Sequence, residues 1–404
     1  MQREINKIKH IAHLGHLMFF LVIGSLAAQE TTEISGKVID QFGLEVPYAA
    51  VGITKKNIGT TSTEDGNFYF RVTKNELEDS LTISSLGFST FSIKIKDYLS
   101  RNGKQIILKE KTTELTEVVV NDVTFYVKTA LKKLKENTIH KNHQLNILYR
   151  RWSVEDKVCR FFIEHSIDAI DRGPSSYIVR FSINNARKSA DYRFVKNEQK
   201  IHALKYMEFN NPLRKGISIR SYKWTKIGNS TYDNEDVIIA KGVMPDKEKL
   251  WLYIGMDSYK VYKLDMEKVP DIGKALKASY VYKKDNEGKI FLSYHQREWE
   301  GAAPLPENVK RAMRNTTKKA RDYIPIAYRH EVYVLGVEKN KSLFSLNESS
   351  TNSDMTRYKT KYNPDFWKKL NLPPNTRFYN KNINELEEIY GVPLENQFRY
   401  SNAF

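Results

Sequence analysis

Short β-strand patterns separated by turn residues run through most of this 404-residue chain, and they limit the folds that it can adopt. Between Glu33 and Glu110 apolar and polar residues alternate, as on strands with one buried face. Glu64, Asp65 and Gly66 form a hairpin signal, because glycine readily adopts the positive φ that such a turn needs. We predict strands at residues 34–39, 48–54, 60–63, 67–72, 81–85, 88–95 and 105–108. Strands this short and closely spaced are typical of a small β-sandwich.

The strand patterns continue beyond residue 122, after one predicted helix. Asp122 can cap this helix, and its apolar face carries Val123, Val127, Ala130, Leu131 and Leu134. Strands are then predicted at 146–153, 158–169, 177–183, 221–227, 237–242, 250–254, 259–266, 278–283, 289–299 and 327–338. We therefore predict a mainly β protein, in which a larger antiparallel β-meander or half-barrel with a few short helices follows the sandwich.

The N-terminal segment has the three parts of a secretory signal peptide. Its start is basic (Arg3, Lys7 and Lys9 against Glu4), its centre is apolar from Leu14, and small residues precede Gln29. We expect residues 1–28 to be removed on export, which places the mature protein in the periplasm or at the periphery of the outer membrane.

The predicted organisation is a signal peptide at 1–28, a β-sandwich at 29–110, a linker at 111–122 and a β-rich domain of unknown function at 123–404.

The whole chain has a net charge of +17, and removal of residues 1–28, with three basic residues and one acidic residue, leaves +15. In an exported protein such a charge favours an envelope protein, a glycan or an anionic membrane surface as partner, and argues against nucleic acid. The oligomeric state stays open.

Four segments of the sandwich region carry a resemblance to a known family. They are ISGKVID (34–40), VPYAAVGI (46–53), GTTSTEDGNFYF (59–70) and LTISSLGFST (81–90). Together they resemble the carboxypeptidase regulatory-like domain, a seven-stranded Greek-key sandwich of the transthyretin type that occurs in bacterial envelope proteins. LTEVVV (115–120) is similar to the segment that leads into the plug of TonB-dependent receptors. The resemblance implies an accessory folding or binding module without an active site.

A second resemblance concerns the region after the sandwich. A helix, a strand with LYRR (148–151) and a closing PDFWKKLN (364–371) follow one another as in exported bacterial proteins that join this domain to a β-rich region. No activity comes with this resemblance.

Residues for catalysis or metal binding are hard to find in this sequence. His295 and Glu298 have the spacing of a zinc carboxypeptidase, but on a strand residues three apart point to opposite faces. Cys159 lies within an apolar strand pattern, where a buried thiol is more common than a nucleophile. We therefore predict no catalytic residue, no metal and no cofactor, and we expect the protein not to be an enzyme.

A basic helix is predicted over residues 307–321. Its cations are Lys310, Arg311, Arg314, Lys318 and Arg321, and most of them share one face. Such a stripe can contact an anionic membrane surface or an acidic glycan, although a basic face often serves solubility alone.

Aromatic residues are concentrated on the later strands and could line a ligand site. The residues are Tyr222, Trp224, Trp251, Tyr253, Tyr280, Tyr282, Tyr294 and Trp299. Amphipathic rings suit a sugar or a hydrophobic groove, while ordinary cross-strand pairing uses the same residues.

Three functions follow from these patterns. The first is a non-catalytic exported binding or scaffolding protein that recognises a protein or glycan of the cell envelope. The second is a carrier that holds a lipid or glycolipid in a half-barrel cavity, and the third is a hydrolase without a recognisable motif.

Overall fold

A computed structural model of the protein describes residues 31–111, 122–196, 202–269, 273–317, 321–346 and 348–402. The predicted signal peptide, most of the predicted linker and Lys318 lie outside these ranges. Within them, no helix is long and apolar enough to cross a lipid bilayer.

The N-terminal unit is a sandwich of two small sheets, as the sequence predicts. Its elements are β1 (Thr31–Asp40), β2 (Ala50–Ile53), β3 (Ile58–Thr61), β4 (Asn67–Thr73), β5 (Ser80–Ser84), β6 (Phe91–Lys94), α1 (Ile95–Ser100) and β7 (Gln105–Leu108). One sheet has the order β4-β1-β7 and the other β3-β2-β5-β6. The predicted hairpin joins β3 to β4, and Gly66 adopts a φ of +75° there. The predicted strand 88–95 is shorter than expected, because the chain turns into α1 at Ile95.

The second unit contains one antiparallel sheet of ten strands. They are β8 (His143–Glu155), β9 (Val158–Asp171), β10 (Ile178–Lys188), β11 (Lys223–Tyr232), β12 (Glu235–Met244), β13 (Glu248–Gly255), β14 (Val261–Lys268), β15 (Ala275–Lys284), β16 (Ile290–Pro304) and β17 (Tyr323–Glu338). The order is β10-β9-β8-β17-β16-β15-β14-β13-β12-β11. The strands thus form a meander from β11 to β17, to which β8, β9 and β10 are added, and the sheet is open rather than closed into a barrel.

Short helices surround this sheet. They are α2 (Val123–Asn137), α3 (Leu204–Phe209), α4 (Pro212–Lys215), α5 (Glu307–Thr317), α6 (Pro364–Lys369), α7 (Arg377–Glu388) and α8 (Leu394–Ser401). Single 3-10 turns occur at Thr54–Lys56, Lys74–Glu76, Ile219–Ser221, Lys341–Leu343 and Met355–Arg357. The predicted cap of α2 is confirmed, because the Asp122 carboxylate accepts a hydrogen bond from the backbone N–H of Thr124 at 3.0 Å.

Both faces of the sheet are buried along β8 and β9 and over much of β16 and β17, whereas on β12–β15 buried residues alternate with half-buried or exposed ones. On the first face, which we call the α2 face, Val127 and Ala130 of α2 pack among Leu252, Leu264 and other apolar residues of β11–β16. The second is the α7 face, on which α7 and α8 pack against Trp152 and Phe162.

The sandwich docks on the α7 face through Tyr48. The Tyr48 ring stacks on Tyr294 of β16, with 4.4 Å between the ring centroids. Its Oη donates a hydrogen bond to Oε1 of Gln296 at 3.0 Å. Tyr48 has a φ of +58°, a conformation that costs a non-glycine residue about 1–2 kcal/mol. The aromatic contact offsets this cost, so Tyr48 is an aromatic anchor between the two units.

An ion pair next to this stack joins the same surfaces. Nη2 of Arg329, which is buried on β17, lies 2.6 Å from Oε2 of Glu64 in the sandwich and 2.6 Å from Oε1 of Glu331. Arg377 of α7 adds a more exposed pair with Asp65 at 3.1 Å. The hairpin that the sequence predicts therefore faces the large sheet.

Replacement of Tyr48 by alanine tests this docking. Tyr48→Ala removes the stack and the hydrogen bond, and we expect the free energy of unfolding to fall by about 2 kcal/mol in urea denaturation. Tyr48→Phe should lose only about 1 kcal/mol, because it keeps the ring. Tyr400→Ala is the control, since that ring is 78% exposed. Equal losses for Tyr48→Ala and Tyr400→Ala would contradict the docking role.

Candidate functional site

A cleft remains between the sandwich and the large sheet beside the Tyr48 anchor. It consists of two adjoining cavities of about 430 and 300 Å³. Ala50, Tyr232 and Lys283 line both of them. These volumes lie near the lower end of those of small-molecule sites, which are frequent at domain interfaces.

The larger cavity, which we call the polar chamber, has charged walls. The sandwich contributes residues 50–55, 57, 58, 78–80, 82 and 84, and the second unit contributes Tyr232, Asp233, Lys283, Lys284 and Phe291. Each acidic residue of this wall has a basic partner: Glu78 contacts Lys96 at 2.8 Å, Asp79 contacts Lys56 at 2.7 Å, and Asp233 contacts Lys284 at 2.8 Å.

Two basic residues of the polar chamber, Lys283 and Lys55, are not paired in this way. Neither has an acidic partner among the residues that the structure describes. The Lys283 ammonium lies 5.3 Å from the ring centroid of Phe291, a weak attraction in place of an ion pair. Burial alone lowers the pKa of Lys283, to about 8. The uncompensated charge of the chamber is therefore positive, and it favours an anionic group.

The smaller cavity, which we call the apolar chamber, is lined mainly by aromatic and aliphatic side chains. The sandwich provides Val46, Pro47, Tyr48, Ala50, Ser85, Leu86 and Phe88. The large sheet provides Ser230, Tyr232, Tyr253, Tyr262, Lys263, Val281, Tyr282, Lys283 and Ser293. The cleft as a whole therefore offers an apolar pocket that opens at Lys283 into a cationic one.

Two of the eight predicted aromatic residues, Tyr253 and Tyr282, line this cleft. Tyr280 is fully buried on the α2 face, where it stacks on His295 at 4.5 Å. Tyr294 is also fully buried, but on the α7 face under Tyr48. The eight rings thus occupy both faces of the sheet and do not form a single surface.

The remaining four predicted aromatic residues lie away from the cleft. Tyr222 and Trp224 pack together near the edge strand β11, with ring centroids 5.4 Å apart. Trp251 lies beneath the ammonium of Lys241, and Trp299 packs against Tyr328. Their contacts are those of ordinary sheet packing.

The predicted basic helix is α5 (Glu307–Thr317); Lys318 lies outside the described residues, and Arg321 is not helical. Lys310 is paired with Glu307 at 2.8 Å and with Asp322 at 3.3 Å, and Arg321 is paired with Asp156 at 3.1 Å. Arg311 and Arg314 are exposed. The cationic surface of α5 is therefore smaller than its sequence indicates.

His295, Glu298 and Cys159, which the sequence analysis considered for zinc binding or catalysis, make contacts within the packed sheet. His295 Nδ1 hydrogen-bonds to Glu208 Oε1 at 2.8 Å on the α2 face, whereas Glu298 contacts Gln296 and Arg329 on the α7 face. Cys159 is fully buried, and burial raises the pKa of its thiol to about 12. In the described ranges, no group of His, Cys, Asp and Glu side chains has the geometry to hold a metal ion.

Sequence reasoning missed Lys283 and Tyr48, the residues that define the cleft. Lys283 lies on β15 at a position that alternates with buried Tyr282, so its pattern indicates a solvent-facing side chain. Tyr48 belongs to a quoted family segment, which indicates a strand and gives no sign of an anchor. Only the docking of the sandwich brings these residues together.

Comparisons with solved structures give only weak likenesses. A LolA superfamily protein from Nitrosomonas europaea has 13% identity and a TM-score of 0.26, over 54% of this chain and 97% of its own. A putative outer membrane lipoprotein-sorting protein domain from Vibrio parahaemolyticus has 6% identity and a TM-score of 0.29, over 56% and 94%. A DUF1329 family protein from Desulfovibrio piger has 10% identity and a TM-score of 0.23, over 56% and 100%. Scores this low support no argument about this chain.

The family comparison concerns the sandwich. No curated protein matches the chain. Residues 34–120 match the CarboxypepD_reg-like domain family. The matched range contains most of the sandwich and the segment after it. This chain therefore contains a carboxypeptidase regulatory-like domain, joined to a ten-stranded antiparallel sheet.

Proposed function

We propose that this protein is a non-catalytic binding protein of the bacterial cell envelope that carries an anionic amphiphile, a lipid or glycolipid with an acidic head group, in the cleft between its two units. One observation carries the proposal: an apolar and a cationic chamber meet at Lys283. The signal-like N-terminal sequence supports an envelope location.

The charges around the cleft support an acidic head group. The carboxylates of the polar chamber are already paired, so an incoming anion would have Lys283 and Lys55 available. A hydrogen bond between an ammonium and an anion in a largely buried site contributes about 1.5–3 kcal/mol. That contribution favours an anionic ligand over a neutral one of the same shape.

The lining of the apolar chamber supports an alkyl or acyl tail. Leu86, Phe88, Tyr253 and Val281 present carbon surface from both units. Burial of a tail there would gain roughly 0.8 kcal/mol for each methylene group removed from water. This cleft differs from the predicted half-barrel cavity, since the sheet is open and the sandwich forms one wall of the cleft.

Contact with an anionic membrane surface is a second candidate function, and it is compatible with the first. Arg311 and Arg314 are exposed on α5, where they could bind acidic head groups. Val309 and Met313 pack inward on the same helix and hold it against the sheet.

The reactivity of Lys283 tests the electrostatic basis of the proposal. In delipidated protein, acetylation of Lys283 by a limiting reagent should be half-maximal near pH 8, because its pKa is lowered to about 8. Mass spectrometry of the peptide that contains Lys283 gives this curve. A midpoint at the ordinary value for a lysine side chain, about pH 10.4, would contradict an uncompensated, buried ammonium.

Binding of a fluorescent fatty acid tests the function itself. We expect dansyl-undecanoic acid to bind with an affinity about tenfold lower to Lys283→Met, a loss of about 1.4 kcal/mol. Its methyl ester should bind both proteins equally, because it lacks the charge. The affinity of wild type for the acid should fall as the pH rises above 8, where Lys283 loses its proton.

Lys277→Met is the matched control for this experiment, because it removes the same charge from the exposed part of β15. At pH 7, Lys283→Met should be at least as stable as wild type, since an unpaired buried ammonium disfavours the folded state. Equal losses of affinity in the two variants would reject the cleft as the binding site.

Charge reversal on α5 tests the second candidate. Arg311→Glu with Arg314→Glu should weaken association with vesicles of phosphatidylglycerol, measured by co-sedimentation, and flatten its dependence on salt. Reversal of Lys223 and Lys226 on β11 serves as a control of equal charge. Unchanged vesicle association of the α5 variant would leave its arginines with a solubilising role only.

A further inference from the structure

A second group of basic residues lies on the α2 face, on the side of the sheet opposite Lys283. Arg297 of β16 is paired in register with His330 of β17, and His330 is paired in turn with Arg151 of β8. The three side chains therefore form a row across three neighbouring strands. All three are buried, with 8%, 5% and 0% of their surfaces exposed.

His202 covers this row. Its ring stacks on His330, with 5.3 Å between centroids, and lies edge-on to Tyr328 at 4.5 Å. Only 3% of the surface of His202 is exposed. Burial and the guanidinium groups of Arg151, Arg193 and Arg297 lower its pKa well below the usual value, so that it is neutral.

Several polar atoms of this cluster lack a partner within the described part of the chain. Both ring nitrogens of His202 are buried and unpaired, and so are Nε and Nη2 of Arg151 and Nε of Arg297. An unsatisfied buried donor or acceptor costs about 1–3 kcal/mol, and more when it is charged. Five such atoms around one stacked pair of rings therefore indicate that something else binds there.

The charge balance of the cluster is positive. Arg151 donates from Nη1 to Asp354 at 3.1 Å, and Arg193 is held by both oxygens of Asp191 at 2.8–2.9 Å. Glu208 is occupied by His295. Arg297 has neither a hydrogen bond nor an ion pair with any described residue. An anion is the species that such a site favours.

We propose that Arg297, Arg151 and His202 bind a small oxyanion of the phosphate class. Two guanidinium groups on either side of His330 offer N–H donors from the sheet, and His202 offers one from the covering segment. A tetrahedral oxyanion can accept several such bonds at once, and arginine suits it well. The site is independent of the cleft, from which the sheet separates it.

Thermal unfolding with inorganic phosphate tests this site. At constant ionic strength set with sodium chloride, the Tm of wild type should rise with phosphate concentration, because binding to the folded state stabilises it. The rise should be absent in Arg297→Met and reduced in His202→Phe, which keeps the stacked ring. Isothermal titration calorimetry should show the same losses.

Two control variants separate this site from other basic surfaces. Lys277→Met on β15 and Lys223→Met on β11, both at exposed positions of the large sheet, should keep the full response to phosphate. Without phosphate, Arg297→Met should melt at or above the temperature of wild type, because it removes an uncompensated buried charge. That result excludes misfolding as the reason for a lost response.

A wild type without a phosphate-specific rise in Tm would overturn the proposal, as would an Arg297→Met variant that keeps the rise. Glycerol 3-phosphate distinguishes the possible sources of the anion. A response equal to that of inorganic phosphate assigns the site to phosphate esters, and a response to inorganic phosphate alone assigns it to the free ion.

Discussion

Strands β8, β9, β16 and β17 of the ten-stranded sheet are largely buried on both faces and need a cover on each side, and most of this structure follows from that need. The α2 face is covered by α2 and by the segment that carries α3 and α4. The α7 face is covered by the C-terminal helices and by the sandwich, which docks through Tyr48 and Glu64. The sandwich is thus part of the fold of the second unit. Because the sandwich covers this face of the sheet incompletely, the cleft remains between the sandwich and the sheet.

Charge compensation distinguishes structural from functional candidates in this protein. Buried arginines are usually paired: Arg150 lies 2.6 Å from Glu164, Arg214 lies 2.8 Å from Asp171, and Arg329 lies 2.6 Å from Glu331. In the described ranges Lys283 and Arg297, one on each side of the sheet, have no carboxylate partner, and buried Lys188 has only the backbone carbonyl of Thr356. Because an uncompensated charge withdrawn from water disfavours folding, a bound anion would stabilise the protein at Lys283 or at Arg297.

The sequence predicts those features that local patterns determine. Asp122 and the apolar face after it indicate α2, and Gly66 marks the sandwich hairpin, because caps and turns depend on neighbouring residues. The strand alternation also indicates an antiparallel meander. The sites depend instead on contacts between distant segments. Lys283 lines the cleft together with sandwich residues 50–55, 57 and 58, which lie more than 220 positions before it, and His202 reaches His330 from the segment between β10 and β11.

Native mass spectrometry of the mature protein, purified gently from its own envelope, tests the central claim most directly. The account predicts an added mass in the lipid or glycolipid range on wild type and on Lys277→Met, and a much smaller bound fraction on Lys283→Met. The added species, once released, should carry an acidic group. The bare mature mass for wild type, or equal occupancy in Lys283→Met, would contradict the account.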